Sequence, residues 1–314
     1  MTARFRIAFA GPHVTLQDGG RPGLMRFGVP RSGGMDRKAL AIANLALGND
    51  PAAPVVEVSP GGLVLDCVAG ALTLAVAGGG FILQAGDRRL GSWSVFRLQA
   101  GERLTIRRGP WGSWCYLAFA GQLQADRWLG SAATHAASGF GGGRLVTGAA
   151  LHVEHAEPRP NREGPLPCPV WARPRPVLHA VPGPQDRFFA VETQAAFFTQ
   201  PFRMTEAFDR MGTRLAGPNL APASALGIPS EPILRGSVQV AGEGVATVLM
   251  ADHQTTGGYP KIATLLDDDT DGFAQLRPND SLRFRQVTAD EAVHLARSRA
   301  RLIAPYFRRL ADRG

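Results

Sequence analysis
Short apolar runs broken by glycine- and proline-rich turns fill most of this chain, and several alternate with the period of two that marks half-buried strands. One set of predicted strands covers 55–58, 63–66, 71–77, 94–98, 103–106 and 114–120. A second covers 177–180, 212–215, 237–240, 247–250, 261–266 and 281–285. Three stretches carry helical patterning. Residues 36–47 are rich in Ala and Leu and stop at Gly48, a good left-handed terminator. Residues 186–199 place Phe188, Val191, Ala195 and Phe198 on one face. The last helix starts at Thr288-Ala289-Asp290-Glu291, a capping box in which Thr288 and Glu291 satisfy free amides of the first turn.

The two strand sets resemble each other. Gly62-Leu63-Val64-Leu65 and Leu72-Thr73-Leu74-Ala75-Val76 recur at an offset of 175 residues as Ser237-Val238-Gln239-Val240 and Thr247-Val248-Leu249-Met250. Between the sets, proline density over 158–176 forbids a packed element and predicts a linker or surface strap. The expected organisation is therefore two related β-barrel domains, 1–157 and 177–314, joined by a Pro-rich linker: a mainly β chain with a few short helices. The offset brings the loop of Gly78-Gly79-Gly80 opposite the loop that holds Asp252-His253-Gln254, so the first half has a bare loop where the second has polar groups.

Composition narrows the function. With 314 residues, 45% hydrophobic and 19% charged, the chain is a soluble globular type. Its net charge of +8 is almost all arginine, dispersed and not interleaved with aromatic residues, which argues against a nucleic-acid platform. The arginine cluster at 297–313 is expected to be the solvated face of a helix. Cys67, Cys115 and Cys168 lack CxxC or metal-ligand spacing and are expected to be reduced and non-catalytic. The uncharged stretch 67–86 is interrupted by Gly70 and the glycine triplet, so it predicts strand, turn and strand rather than a membrane span. A cytoplasmic location is expected.

The densest chemistry lies in Asp252-His253-Gln254-Thr255-Thr256-Gly257-Gly258-Tyr259-Pro260-Lys261, between two apolar runs. Loops held by rigid strands are where scaffolds carry chemistry. The chain has only two lysines, Lys38 and Lys261, so Lys261 reads as a choice of ammonium over guanidinium. The plain alternative is a hairpin whose polar groups satisfy one another. Other candidates are Gln17, Asp18 and Arg21 in a glycine-rich turn, with Arg21 suited to a carboxylate. Asp18 and Arg21 pairing with each other is equally consistent. Asp36 and Asp186 read first as helix caps. In Phe208-Asp209-Arg210-Met211-Gly212, Arg210 is the better ligand candidate. There is no GxxxxGK[ST] loop, no HExxH, no GxSxG elbow, no histidine cluster at metal spacing and no biotinyl site. Any ATP or biotin chemistry must then come from another polypeptide.

These motifs, in order along nearly the whole chain, resemble one family. They are Thr15-Leu16-Gln17-Asp18, Gly20-Arg21-Pro22-Gly23, Gly28-Val29-Pro30, Ser32-Gly33 and Met35-Asp36. Glu57 with Gly61-Gly62, Pro182-Gly183-Pro184-Gln185-Asp186 and Asp209-Arg210-Met211-Gly212 follow. Gln254-Thr255-Thr256-Gly257-Gly258-Tyr259-Pro260-Lys261 and Gln275-Leu276-Arg277-Pro278 complete the pattern. The chain resembles the allophanate hydrolase subunit 2-like family, which includes KipA, the 5-oxoprolinase C subunit and biotin-dependent carboxyltransferase proteins. It departs from the usual pattern at Gly78-Gly79-Gly80, where Gly-Ala-Asp is common, and at His253, where Arg is usual.

The resemblance implies cyclophilin-like barrels and a component of an ATP-dependent 5-oxoprolinase that opens 5-oxoproline to glutamate. The implied partners are a subunit 1-like protein of the KipI or PxpB type and a lactam-utilisation protein of the PxpA type. No metal and no covalently bound cofactor are expected. In that chemistry Lys261 would stabilise charge on the lactam oxygen, aided by Thr255, Thr256 and the amides of Gly257 and Gly258. Asp252 would be a general base or would orient Lys261, and Gln254 would hydrogen-bond the amide. Arg210 or Arg21 would hold the substrate carboxylate, with Gln17, Asp18 and Tyr259 lining the site. Two other readings remain: a urea carboxylase-like carboxyltransferase using carboxybiotin from a separate carrier, and a KipA-type regulator that is not an enzyme.

Overall fold
Alternation settles the first strand at once: in Ala3–Ala10, Ala3, Phe5 and Ile7 are buried while Arg4 and Arg6 are exposed. The computed structural model describes residues 1–223 and 228–313. The chain divides into two compact units, one of Met1–Arg21, Ser32–Arg173 and the residues from Ile303 onward, the other of Pro22–Arg31 and Pro174–Leu302.

In the first unit the strands form two antiparallel sheets. The seven-stranded sheet runs in the order Gln122–Leu123, Ala150–Glu154, Ala3–Ala10, Leu63–Ala69, Arg103–Arg107, Ile82–Ala85, Arg88–Gly91. The six-stranded sheet runs Gly164–Pro165, Ser94–Gln99, Ala71–Ala77, Cys115–Phe119, Val55–Val58, Thr15–Gln17. Phe5, Ile7, Leu65, Leu74, Val76, Leu104, Leu117 and Phe119 from the two sheets share one core. The rings of Phe5 and Phe119 meet edge to face at 5.5 Å. Thus this unit buries its apolar faces between two sheets and does not close as the predicted barrel. The helix Arg37–Leu47 packs beside it, capped by Asp36, which accepts a hydrogen bond from Ala39 N, and stopped by Gly48 at φ 76°.

Residues 158–176 hold more structure than a linker requires. Gly164–Pro165 pairs with Ser94 and Val95, and the unit continues to Arg173. Prolines are tolerated there because the added strand is two residues long and lies at a sheet edge.

The second unit is a closed barrel in the order Val177–Pro182, Lys261–Leu265, Ser237–Val240, Ala246–Leu249, Gly212–Ala216, Phe202–Phe208, Ser281–Gln286. The first and last strands pair in parallel and close it, Leu178 opposite Phe284; the other pairs are antiparallel. Closure leaves no open ladder edge. The helical stretch 186–199 breaks in two, a 3-10 turn Asp186–Phe188 and a helix Val191–Thr199. Its buried anchor is Phe197, stacked on Phe284 at 4.4 Å, rather than the predicted face, since Val191 and Ala195 are exposed. Asp186 caps no helix; its carboxylate accepts from Arg187 N. The capping box of the last helix, Ala289–Ala311, is present, with Thr288 N on Glu291 at 2.8 Å and Glu291 N on Thr288 Oγ1 at 3.2 Å. At 23 residues that helix is longer than the short helices expected. Among the described residues, no helix is long and apolar enough to cross a membrane.

Candidate active site
Lys261 opens a barrel strand whose neighbour, Ser237–Val240, sets Gln239 opposite it; the ladder register shifts between Val238 and Gln239 at this point. Directly opposed residues of an antiparallel pair project to the same face, so an ammonium and a side-chain amide stand side by side. The chain leaving Leu249 then doubles back, and Thr256–Gly257 pairs with Glu231–Pro232 in a ribbon of two residues per strand. Ile233 N donates to Thr255 O and extends this ribbon by one bond. Gly257 lies opposite Glu231, and a Cβ on Gly257 would stand 2.5 Å from Gln239 Nε2. A glycine here leaves the Gln239 amide in its place, and a larger residue would push that flexible amide aside.

Four polar side chains converge here. Lys261 is 2% exposed, and its Nζ lies 3.6 Å from Glu231 Oε2 without a hydrogen-bond partner. Gln185 Nε2 donates to the same Glu231 oxygen at 2.7 Å, while Gln185 Oε1 accepts from Lys261 N at 3.0 Å. Gln239 Nε2 is also buried with no partner. Buried donors are nearly always satisfied, and each one left bare costs free energy on the order of 1–3 kcal/mol or more. Two bare donors on directly opposed residues mark this part of the barrel as the candidate site for a ligand acceptor.

Asp252 and Arg210 form a separate constellation. Arg210 Nε meets Asp252 Oδ2 at 2.8 Å, and Arg210 Nη2 meets Oδ1 at 3.0 Å, both side chains 4% exposed. The backbone repeats the link, Asp252 N donating to Arg210 O at 2.7 Å. Asp209, next in sequence, faces outward and accepts from Met211 N and Gly212 N in a turn. This geometry corrects two expectations. Asp252 does not orient Lys261, whose acidic partner is Glu231, and Arg210 already holds a carboxylate within the protein. Beside them His253 is buried and its Nδ1 lies 2.6 Å from Gln254 O. Burial pushes its imidazole below the ordinary value, the charge of Arg235 adds to the effect, and the Gln254 carbonyl and Asp252 oppose it.

Of the remaining loop residues, Gln254, Thr256 and Tyr259 are exposed, Tyr259 by 54%, and Thr255 and Gly258 are half-buried. The strand–turn–ribbon path turns these side chains outward while Asp252 and Lys261 turn in.

In the first unit, Gln17, Asp18 and Arg21 are buried among their own loops. Arg21 donates to the carbonyls of Trp128, Ser131 and Ala133 and lies over the Trp128 ring at 5.0 Å. Asp18 accepts from Gly20 N at 2.8 Å and from Ser131 Oγ and Ala132 N at 2.6 Å. Gln17 Nε2 donates to Thr15 Oγ1 and Thr134 O. In place of the expected carboxylate clamp, Arg21 ties the 128–133 loop to the first glycine-rich turn. Glu57, fully buried, accepts from Tyr116 Oη and Met35 N at 2.8 Å, and the same hydroxyl accepts from Asp36 N at 2.6 Å. Burial, then the Glu57 charge, holds the Tyr116 phenol well above its ordinary value, so it stays a neutral donor.

Glycine at 78 and 80 has a packing reason. Gly78 sits at φ 94° with a Cβ position 2.8 Å from Trp114 O, and a Cβ on Gly80 would lie 2.4 Å from Trp111 Nε1. The three cysteines are free thiols, and burial pushes each above its ordinary value, so none is poised as a nucleophile. Among the described residues, no group of three or more His, Cys, Asp or Glu side chains could hold a metal ion. A groove of about 540 Å³ runs along Arg88–Gly91 and Ser94 to Glu163 in the first unit; none of the predicted site residues lines it.

Sequence reasoning missed Gln185, Glu231 and Gln239 as site residues. Gln185 was visible only as part of a motif. Gln239 occupies an alternating strand that reads as half-exposed, and Glu231 stands in an irregular Pro- and Ser-containing stretch; their convergence comes from barrel register.

Comparison with known proteins agrees with the fold. The profile of the carboxyltransferase domain, subdomain A and B, matches residues 27–286. The 5-oxoprolinase C subunit of Escherichia coli (strain K12) is 34% identical over 313 residues, covering 98% of each chain. The protein of the same name from Haemophilus influenzae is 33% identical over 302 residues, covering 95% of this chain and 96% of that one. The crystal structure of Kluyveromyces lactis urea carboxylase superposes with a TM-score of 0.83 at 23% identity, over 96% of this chain and 29% of that chain, a likeness of fold.

Proposed function
The chain belongs to the carboxyltransferase domain family, subdomain A and B, and from that membership we propose that it is the C subunit of a 5-oxoprolinase, acting with partner subunits to open 5-oxoproline to glutamate. Full-length similarity to two proteins named as the C subunit of 5-oxoprolinase supports this reading. Within the structure, the observation that carries it is the buried Lys261 ammonium with no hydrogen-bond partner.

A lactam carbonyl is stabilised by resonance, and attack on it places negative charge on oxygen. A preorganised, water-excluded cation is worth most where such charge develops, because no solvent needs to reorganise. Lys261 supplies that cation. Glu231 and Gln185 hold it in place: Gln185 is bonded at once to the Lys261 backbone and to the Glu231 carboxylate. The Arg210–Asp252 pair acts one layer out, fixing the start of the loop that returns to Lys261. We assign ATP binding to a partner protein, of the subunit 1-like or lactam-utilisation type, and place the assembly in the cytoplasm. Carboxyl transfer from carboxybiotin to an amide is the second reading; membership of the carboxyltransferase domain family favours it, and the same donors would serve the oxyanion of biotin.

The test is 5-oxoproline in extracts of the source organism with this gene deleted, with and without a plasmid copy. Accumulation reversed by the plasmid is expected. Unchanged 5-oxoproline would overturn the assignment and make urea-dependent growth the next measurement.

A further inference from the structure
Lys261 Nζ and Gln239 Nε2 are two buried donors without partners, borne by directly opposed residues of neighbouring strands. Both reach the same ribbon: Glu231 Oε2 stands 3.6 Å from the ammonium, and Gly257, opposite Glu231, makes room for the amide. The place where an acceptor is missing is therefore bordered by a carboxylate, itself an acceptor. A ligand that fills it best presents one oxygen to the two donors and, beside that oxygen, an N–H to the carboxylate.

We propose that Gln239 and Glu231 join Lys261 as specificity-determining residues that read a cis-amide group from both sides. Lys261 Nζ and Gln239 Nε2 donate to the carbonyl oxygen, and Glu231 accepts the adjacent N–H. In a lactam these two groups point to the same side of the ring, matching a donor pair and an acceptor set side by side. A carboxylate in this place would put a second anion against Glu231, so the site selects the amide over the free acid it becomes. That asymmetry favours release after ring opening. Entry is through the ribbon Glu231–Pro232/Thr256–Gly257: it is two residues long, and the Glu231 side chain is 46% exposed while the donors beneath it are sealed. So short a ladder opens locally without disturbing the barrel.

This inference rests on the 5-oxoprolinase reading for its substrate, and its test separates the two. The full chain is titrated with 2-pyrrolidinone and with cyclopentanone, a ring of the same size with CH₂ in place of N–H. Wild type is expected to bind the lactam at least fivefold more tightly. Glu231→Ala is expected to reduce that ratio at least threefold, and Gln239→Leu to weaken both ligands about threefold to tenfold, the range of one lost hydrogen bond. Equal affinity for the two rings, no saturable binding of either, or a ratio that Glu231→Ala leaves unchanged overturns the inference. The comparison in wild type stands if a variant does not fold. Accumulation of 5-oxoproline in the deletion strain without discrimination between the rings would sink this inference alone. Discrimination without accumulation would sink the 5-oxoprolinase assignment alone.

Discussion
Arg210 and Asp252 grip each other through two parallel hydrogen bonds of 2.8 and 3.0 Å, sealed from water on both sides. The pair ties the end of one barrel strand region to the start of the loop that leads to Lys261. Buried ions cost several kcal/mol each to desolvate, and bidentate geometry is what recovers that cost.

Breaking this pair is expected to be expensive. Arg210→Met or Asp252→Leu alone leaves a buried charge without its bidentate partner and should destabilise the protein by about 3–5 kcal/mol. The double variant should recover much of the loss, as denaturant unfolding of all four proteins will measure. Additive losses would mean that the two side chains are not energetically coupled.

Lys261→Met makes the opposite statement about stability. It removes a buried cation that has no hydrogen-bond partner and substitutes an apolar chain of similar volume. Thermal unfolding should show a midpoint equal to or above wild type. A clear drop would mean that Lys261 is structural.

His253 gives a pH dependence with a definite sign. Its folded pKa lies below the unfolded value of about 6.5, so the unfolded chain binds the proton more readily. The contribution of neutral His253 is therefore present above that unfolded value and is lost as pH falls through the lower folded one. His253→Gln should lose less stability than wild type between neutral and mildly acidic pH. Identical pH slopes for the two would contradict the shift.

Gly257→Ala tests the space beside Gln239. The new Cβ meets the flexible end of the Gln239 side chain, 2.5 Å away, so that amide can swing aside at small cost. The expected result is a fold of near wild-type stability with weaker ligand binding. Severe destabilisation would show that Gln239 is held rigidly in place.

Much of this was legible in the sequence. The strands Ala71–Ala77 and Ser237–Val240 follow from alternation and Val55–Val58 from its valines, and the capping box at Thr288 and Glu291 gave the start of the last helix. The first strand, Ala3–Ala10, alternates just as well but begins almost at the terminus, where pattern alone does not separate strand from tail. The acidic helix Asp267–Ala274 was hidden because three aspartates in its first turn read as a loop, although they suit the positive end of a helix. Lys261 stood out by composition. Its neighbours Glu231 and Gln239 did not, because pairing register and a two-residue ribbon are long-range facts that no local pattern records. Arg21 misled for a related reason: an arginine in a glycine-rich turn suits a substrate carboxylate and a row of backbone carbonyls equally, and only the fold places Trp128, Ser131 and Ala133 around it.

The central claim is that Lys261 stabilises charge on the lactam oxygen within an assembled 5-oxoprolinase. The most direct measurement is glutamate formation from 5-oxoproline and ATP by the enzyme reconstituted with its partners, wild type against Lys261→Met, with assembly checked on the same samples. The expected result is an intact complex whose turnover falls by about 10²–10³, the scale of one lost oxyanion donor. An intact complex with unchanged turnover would contradict it.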